Sequence, residues 1–192
     1  HFIFNSLASI QNAIINEEPK KASKYLAKFS RLVRNILDSS VEEFILLEQE
    51  ISTIENYLGL QKIRFPEKFD YTLEVDESLD PACVRIPPML AQPFIENAIE
   101  HGIKHKDTKG KIDVRFKLQN GTLELDVEDN GIGRKRALEI LREQDKDHKS
   151  MATAITMERI RILNKKLRRK ILMEIIDLKN YRDEATGTRI KI

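Results

Sequence analysis

The sequence predicts an α+β protein, a helical N-terminal segment followed by an α/β sandwich with helices on one face of a sheet. Three observations carry that prediction. Residues 1 to 65 contain only two helix-breaking residues, Pro19 and Gly59, and their apolar residues recur at helical spacing. After Pro66 the texture changes to strict alternation, as in Ile112, Val114, Phe116 and Leu118. Asn120-Gly121 then separates that run from a second alternating one, Leu123, Leu125 and Val127, which is the strongest short signal for a hairpin.

Taken in order, Ile3, Leu7, Ile10 and Ile14 have the four-three spacing of a helical seam. His1, Asn5, Ser9, Asn12 and Asn16 form a separate polar stripe. Glu17-Glu18-Pro19 suits a break and a fresh helix start, because proline and acids are both favoured in a first turn. Ala22, Tyr25, Leu26, Phe29, Leu32, Val33, Ile36 and Leu37 give a second, wider apolar face, which weakens at Asp38-Ser39-Ser40. A third helix begins near Leu47, carries Leu47, Ile51, Ile54 and Leu58 on its apolar side, and stops at Phe65 before Pro66. Three such helices have too little surface to bury alone. Residues 1–65 are therefore expected to complete a bundle with partner helices, most simply from a second copy in a homodimer.

Residues 66–192 form the second region. Phe69, Tyr71, Leu73 and Val75 predict a half-buried strand, and Asp80-Pro81 a turn. Ile86-Pro87-Pro88 blocks a helix until Met89, and Leu90, Phe94, Ile95, Ala98 and Ile99 then predict one over 89–101 with Gly102 placed to end it. The hairpin follows. Residues 134–143 read as a helix, 144–150 as a charged loop, 153–168 as a helix, and 171–178 and 187–192 as closing strands.

Composition narrows the function. Of 192 residues, 41% are hydrophobic, which supports a real core. Lys plus Arg is 33 against 31 for Asp plus Glu, a net charge of +2, so no direct nucleic-acid partner is expected. Cys83 alone can form neither an internal disulfide nor a cysteine zinc cluster, which suits a reducing compartment. No apolar run approaches the roughly 20 residues of a membrane span. The chain opens at His1 inside an amphipathic pattern, so we read it as a fragment, and any membrane anchor would lie in segments outside it.

Two constellations could carry chemistry. Asp129-Asn130-Gly131-Ile132-Gly133 follows the hairpin directly. A carboxylate at a strand end is held by the sheet and can accept a hydrogen bond from an exocyclic amino group such as that of adenine. The two glycines let backbone approach a flat ligand closely. Alone, the motif is equally an ordinary glycine-rich turn. The second constellation is Gln92 to Gly102, in which Asn97 and His101 are four apart on one helix face. An amide oxygen suits Mg²⁺, which binds few protein groups and gains ligands from phosphates. Alone, Asn97 is more readily read as a surface amide than as a ligand. Together they describe a nucleotide site that is neither a P-loop, since GxxxxGK[ST] is absent, nor a Rossmann motif, since GxGxxG is absent.

The chain as a whole resembles the LytS-type (YehU-type) sensor histidine kinases. His1-Phe2-Ile3-Phe4-Asn5-Ser6-Leu7 matches the family's phosphoacceptor segment from its histidine onward. Leu47-Glu48-Gln49-Glu50, Asn56-Tyr57-Leu58 and Arg64-Phe65 resemble its acidic leucine-rich segment, and Ile86 to Gly102 its N box. Asp129 to Gly133 and Gly187-Thr188-Arg189 resemble its first and last glycine boxes. The resemblance implies a helical dimerisation and phosphoacceptor region over 1–65 and a Bergerat-type (GHKL) ATP-binding domain over 66–192.

By the same resemblance His1 is the phosphoacceptor, Asn97 holds Mg²⁺ against the ATP phosphates, and Asp129 receives the adenine amino group. Gly131 and Gly133 shape the pocket wall, Thr188 supports the Asp129 contact, and His101 lies near the nucleotide. The implied partner is a response regulator receiver domain, of the LytTR DNA-binding type. The implied setting is the cytoplasmic part of an inner-membrane-anchored bacterial sensor.

Two departures stand out. Ser150-Met151-Ala152-Thr153-Ala154 replaces the family's second glycine box, although Lys149 and the start of the following helix remain suited to phosphate. Phe2 follows His1 where many histidine kinases place an acid, so the proton acceptor lies elsewhere, with Glu96 a candidate in trans. The altered glycine box keeps an alternative open: an ATP-binding dimeric signalling module without phosphotransfer. A gyrase- or chaperone-class ATPase would need a glutamate four residues before Asn97, and that position is Pro93.

Overall fold

The computed structural model describes residues 2–16, 18–143, 151–167 and 170–192. Packing divides the chain into two units, one running to Pro66 and including Pro81–Met89, the other comprising Glu67–Asp80 and Leu90–Ile192.

The first unit is helical. Helices α1 (Phe2–Ile15), α2 (Pro19–Ser40) and α3 (Leu47–Arg64) pack in sequence, α1 on α2 and α2 on α3. Proline opens α2, where its missing N–H would have had no partner in any case. The first turn of α3 carries Glu48 and Glu50 and its last turn Lys62 and Arg64, both complementing the helix dipole. Leu32, Leu47, Ile54, Tyr57 and Leu58 are fully buried. The buried face of α3 is wider than its apolar seam and takes in the polar Glu50, Thr53 and Gln61. Leu7, Ile14, Leu26 and Leu37 remain exposed.

Residues 81–89 act as a strap on the start of α3. β1 (Ile45–Leu46) pairs antiparallel with β3 (Arg85–Ile86), the strand β2 (Phe69–Val75) lying between them in sequence. The Leu47 and Glu48 amides, which have no intrahelical acceptor, donate to the carbonyls of Val84 (2.8 Å) and Pro81 (3.1 Å). Arg85 donates to the Phe44 carbonyl at 3.1 Å. The strap ends at Met89, which has φ of 56° and donates its amide to the buried Glu50 carboxylate at 2.8 Å.

The second unit is built on a five-stranded sheet of order β2-β4-β5-β7-β6, from β2 (Phe69–Val75), β4 (Gly110–Gln119), β5 (Thr122–Asp129), β6 (Glu174–Lys179) and β7 (Ala185–Lys191). β2 and β4 are parallel and the other pairs antiparallel. The Asn120-Gly121 turn has φ of 52° and 72°, both positive, which matches the right-handed twist of the strands it joins.

Helices α4 (Gln92–Asn97), α5 (Gly133–Glu143) and α6 (Met151–Lys166) complete the unit, and α4 continues as a π-helical segment, Ala98–Ile103. Ile112, Val114, Phe116, Leu125 and Val127 meet Ile95, Ile99 and Ile103 in the core. On the opposite residues of the same strands, ion pairs run from Arg189 to Asp126 (2.6 Å), Arg115 to Glu128 (3.4 Å) and Lys191 to Glu124 (3.2 Å). Burial alone would raise the Asp126 carboxyl, but hydrogen bonding to Arg189 and nearby cationic charge hold it below its ordinary value.

The α+β expectation holds. Three details differ from the sequence reading. The helix expected at 89–101 begins at Gln92 and changes to π geometry after Asn97, so Gly102 lies inside a helical segment rather than capping it. The two-residue ribbon was not anticipated. The final helix begins at Met151, and the next strand at Glu174.

Replacing Glu50 by alanine leaves the Met89 amide without this acceptor. That should cost about 1–3 kcal/mol and lower the thermal midpoint by several degrees, with Glu50→Gln recovering most of the loss. Calorimetric melting checks it.

Candidate functional site

Asp129 ends β5 as an inner strand of the sheet, paired with Ile112 on one side and Thr188 on the other. Its side chain is 7% exposed. The Gly131 amide donates to its Oδ1 at 2.8 Å, and the Thr188 amide also hydrogen-bonds the carboxyl. Burial nonetheless dominates and pushes this carboxyl up to about 6.

The backbone around it is crowded. A Cβ on Gly131 would lie 2.7 Å from Asp129 Oδ1 and 2.7 Å from the Gly102 backbone. At Gly187, φ is 147° and a Cβ would run into the Asp129 carbonyl. Only glycine fits at these two points, and this explains the glycines on either side of the carboxylate. The π segment brings Gly102 to within 3.6 Å of the Gly131 Cα, measured from the Cβ that Gly102 lacks. Its hydrogen bond from Lys104 back to Ile99, 2.9 Å, marks the widened turn.

Asp129 lies in a cleft of about 270 Å³. Asn97, His101 and Gly102 line one side, Gly133, Arg134 and Leu138 another, and Val127, Thr188 and Ile190 come from the sheet. The Asn97 side chain donates through Nδ2 to Thr153 Oγ1 at 2.9 Å, tying α4 to the first turn of α6. Burial lowers the His101 imidazole below its ordinary value despite the opposing Glu100 charge, so it favours the neutral form. Burial and the Glu100 charge raise the Glu96 carboxyl.

Of the residues singled out from sequence, Asn97, His101, Asp129, Gly133 and Thr188 share this cleft, and Gly131 packs behind Asp129. His1 and Lys149 lie outside the described residues. Arg134 and Thr153 were missed. Arg134 opens α5 and pairs with Asp177 at 3.4 Å. Thr153 carried a weak signal, a hydroxyl between apolar residues at a helix start.

Residues 1–69 match the histidine kinase family. Over 133 residues the chain is 38% identical to the sensor protein LytS of Staphylococcus haemolyticus, a match that spans 69% of this chain and 22% of that protein. It is 32% identical over 133 residues to LytS of Enterococcus faecalis, with the same coverage. These matches support a LytS-type sensor histidine kinase. It spans about a fifth of the length of the curated relatives it matches, 22%.

The chain also shares its fold with solved structures. The histidine kinase domain of the Erythrobacter litoralis blue-light-activated kinase aligns with a TM-score of 0.51 at 15% identity, covering 93% of this chain and 82% of that one. A bacterial phosphotransferase aligns with a TM-score of 0.56 at 12% identity, covering 98% and 88%. The fold is that of histidine kinase catalytic domains, the Bergerat-type α/β sandwich expected from sequence.

The donor set of the cleft fits a nucleotide with its cation. A buried acceptor beside apolar walls suits a planar heterocycle bearing an amino group. Among the described residues no three acids, histidines or cysteines cluster as a metal cage. An amide oxygen at Asn97 fits a hard cation that keeps most of its waters and takes further ligands from phosphates.

The raised Asp129 carboxyl makes the fold pH-sensitive in a defined direction. Between about pH 4 and 6 the folded protein holds a proton at Asp129 that the unfolded chain, at the ordinary 3.8, has released. Stability from this group is therefore complete below 3.8 and is lost as pH rises through 6, by roughly 3 kcal/mol in all. Asp129→Asn should remove that slope. Urea midpoints of the two proteins at pH 4 and 7 read the difference.

Proposed function

We propose that the chain is the kinase core of a two-component sensor, an ATP-dependent autokinase that phosphorylates His1 and passes the phosphoryl group to a receiver-domain aspartate. The observation that carries this reading is the buried Asp129 carboxylate, held between glycines at the end of a cleft that also contains Asn97.

On this reading Asp129 accepts the adenine amino group, with the Thr188 amide and the Gly131 amide fixing the carboxylate. Val127, Ile190 and Leu138 supply apolar walls for the base. Gly131 and Gly133 form the backbone wall. His101, mainly neutral, lies beside the nucleotide without adding charge. Asn97 holds Mg²⁺ through its amide oxygen, and Lys149 draws in phosphate from the segment before α6. When bound, Mg²⁺ offsets phosphate charge.

A neutral imidazole nitrogen is a competent nucleophile. The nitrogen attacks the γ-phosphorus, the bond to the β–γ bridging oxygen breaks, and ADP departs. The imidazole proton goes to a base, for which Glu96 with its raised carboxyl is the candidate. Positioning does most of the catalytic work.

Residues 1–65 serve as the dimerisation and phosphotransfer region and 66–192 as the ATP-binding region. The exposed Leu7, Ile14, Leu26 and Leu37 support a homodimer through the N-terminal helices. Among the described residues no helix is long and apolar enough to cross a membrane. We place the chain on the cytoplasmic side of a membrane-anchored sensor whose regulator is of the LytTR type.

With radiolabelled ATP and Mg²⁺ the chain should acquire acid-labile, base-stable label, and His1→Gln should abolish it. Nucleotide binding without any label in the unmutated chain would instead favour the non-transferring module. Asp129→Ala should weaken binding of an ATP analogue at least tenfold, as expected for losing one hydrogen bond to a charged group. Isothermal titration measures it.

A further inference from the structure

We infer that Thr153 is a positioning residue for the cation at Asn97, selecting which end of the Asn97 amide faces the phosphates. The inference rests on the nucleotide reading of the cleft and extends it to Thr153, a residue of the altered glycine box.

Asn97 closes α4 and lines the cleft. An asparagine side chain is nearly symmetric in shape but opposite in chemistry at its two ends. One end is a carbonyl that can ligate a cation, and the other is an NH₂ that repels it. Rotation by half a turn exchanges them at little steric cost. A metal ligand of this type therefore needs a second group that makes one orientation preferred.

Thr153 provides that group. Its Oγ1 accepts a hydrogen bond from Asn97 Nδ2 at 2.9 Å. Thr153 lines the same cleft and lies in the first turn of α6, an element that packs against α4. With the nitrogen end held toward α6, the carbonyl end, about 120° away around the amide carbon, points elsewhere. The reversed amide would set two oxygens against each other unless the hydroxyl turned to donate.

The contact also ties two stretches of chain 56 residues apart. It gives the altered glycine box, whose residues open α6, a direct hold on the metal ligand. A glycine or alanine at this position would have no such hold. Thr153 touches neither substrate nor cation on this account, and it acts only through Asn97.

The test is the gain in affinity that Mg²⁺ confers on a non-hydrolysable ATP analogue, measured by calorimetry on the full chain with Mg²⁺ and with EDTA. Thr153→Val keeps shape and removes the acceptor. It should cut the Mg²⁺-dependent gain roughly 3- to 10-fold while changing the EDTA affinity less than about twofold. Thr153→Ser keeps the hydroxyl and should restore the gain. Should the valine protein fail to fold, Thr153→Ala replaces it in the comparison with serine. An unchanged Mg²⁺ gain in the valine or alanine protein overturns the inference and leaves the nucleotide reading intact. A parallel fall with Mg²⁺ and with EDTA also overturns it, since that marks a merely structural role. No analogue binding to the unmutated chain overturns both.

Discussion

The second unit is organised around a single expensive act, the burial of the Asp129 carboxyl. A charge taken out of water costs free energy unless dipoles replace the solvent. Here the replacements are the Gly131 and Thr188 amides, and they do not fully compensate, since the carboxyl stays well above its ordinary value. The surrounding structure follows from holding those amides in place. β5 must sit between β4 and β7 so that Asp129 is fixed on both sides. The chain after it must turn within two residues, which requires Gly131. The neighbouring strand must pass so close that Gly187 meets the Asp129 carbonyl. A carboxyl left hungry for a further donor is suited to a ligand that brings one.

The sheet serves this arrangement by having two chemically distinct faces. Residues such as Val114, Phe116, Leu125 and Val127 point toward the helices and exclude water from the cleft side. Their sequence neighbours Arg115, Lys117, Asp126 and Glu128 form cross-strand ion pairs on the other side. On these strands acids and bases are thus paired locally. Most of these pairs are partly exposed and contribute little individually. Their placement fixes register, because a one-residue slip would exchange the charged and apolar faces.

Much of this was legible before any coordinates. Alternation in β4 and β5 and the Asn120-Gly121 turn are local signals, and local signals survive folding. The amphipathic seams of α2 and α3 were readable for the same reason, and the Asp129 and Asn97 motifs marked two sides of one cleft. What escaped depended on contacts between distant residues. The ribbon of Ile45–Leu46 with Arg85–Ile86 is too short to show a period. The burial of Glu50 depends on the strap, which supplies its donor at Met89, 39 residues away. The π turn at Ala98–Ile103 arises where Gly102 approaches Gly131, and no propensity encodes that approach. Thr153 is a hydroxyl on a helix, and only its partner gives it meaning.

The path of the chain between the two units has a practical corollary. Polypeptide crosses from one unit to the other at Pro66, again at Asp80, and again at Met89. Each unit is therefore built from two discontinuous stretches of sequence. A chimera that joined the helices of one homologue to the catalytic portion of another at a single splice near residue 66 would pair a foreign strap with the native start of α3. Faithful grafting has to carry two discontinuous pieces of sequence together, and gene fusions or deletions within this lineage face the same topological restriction.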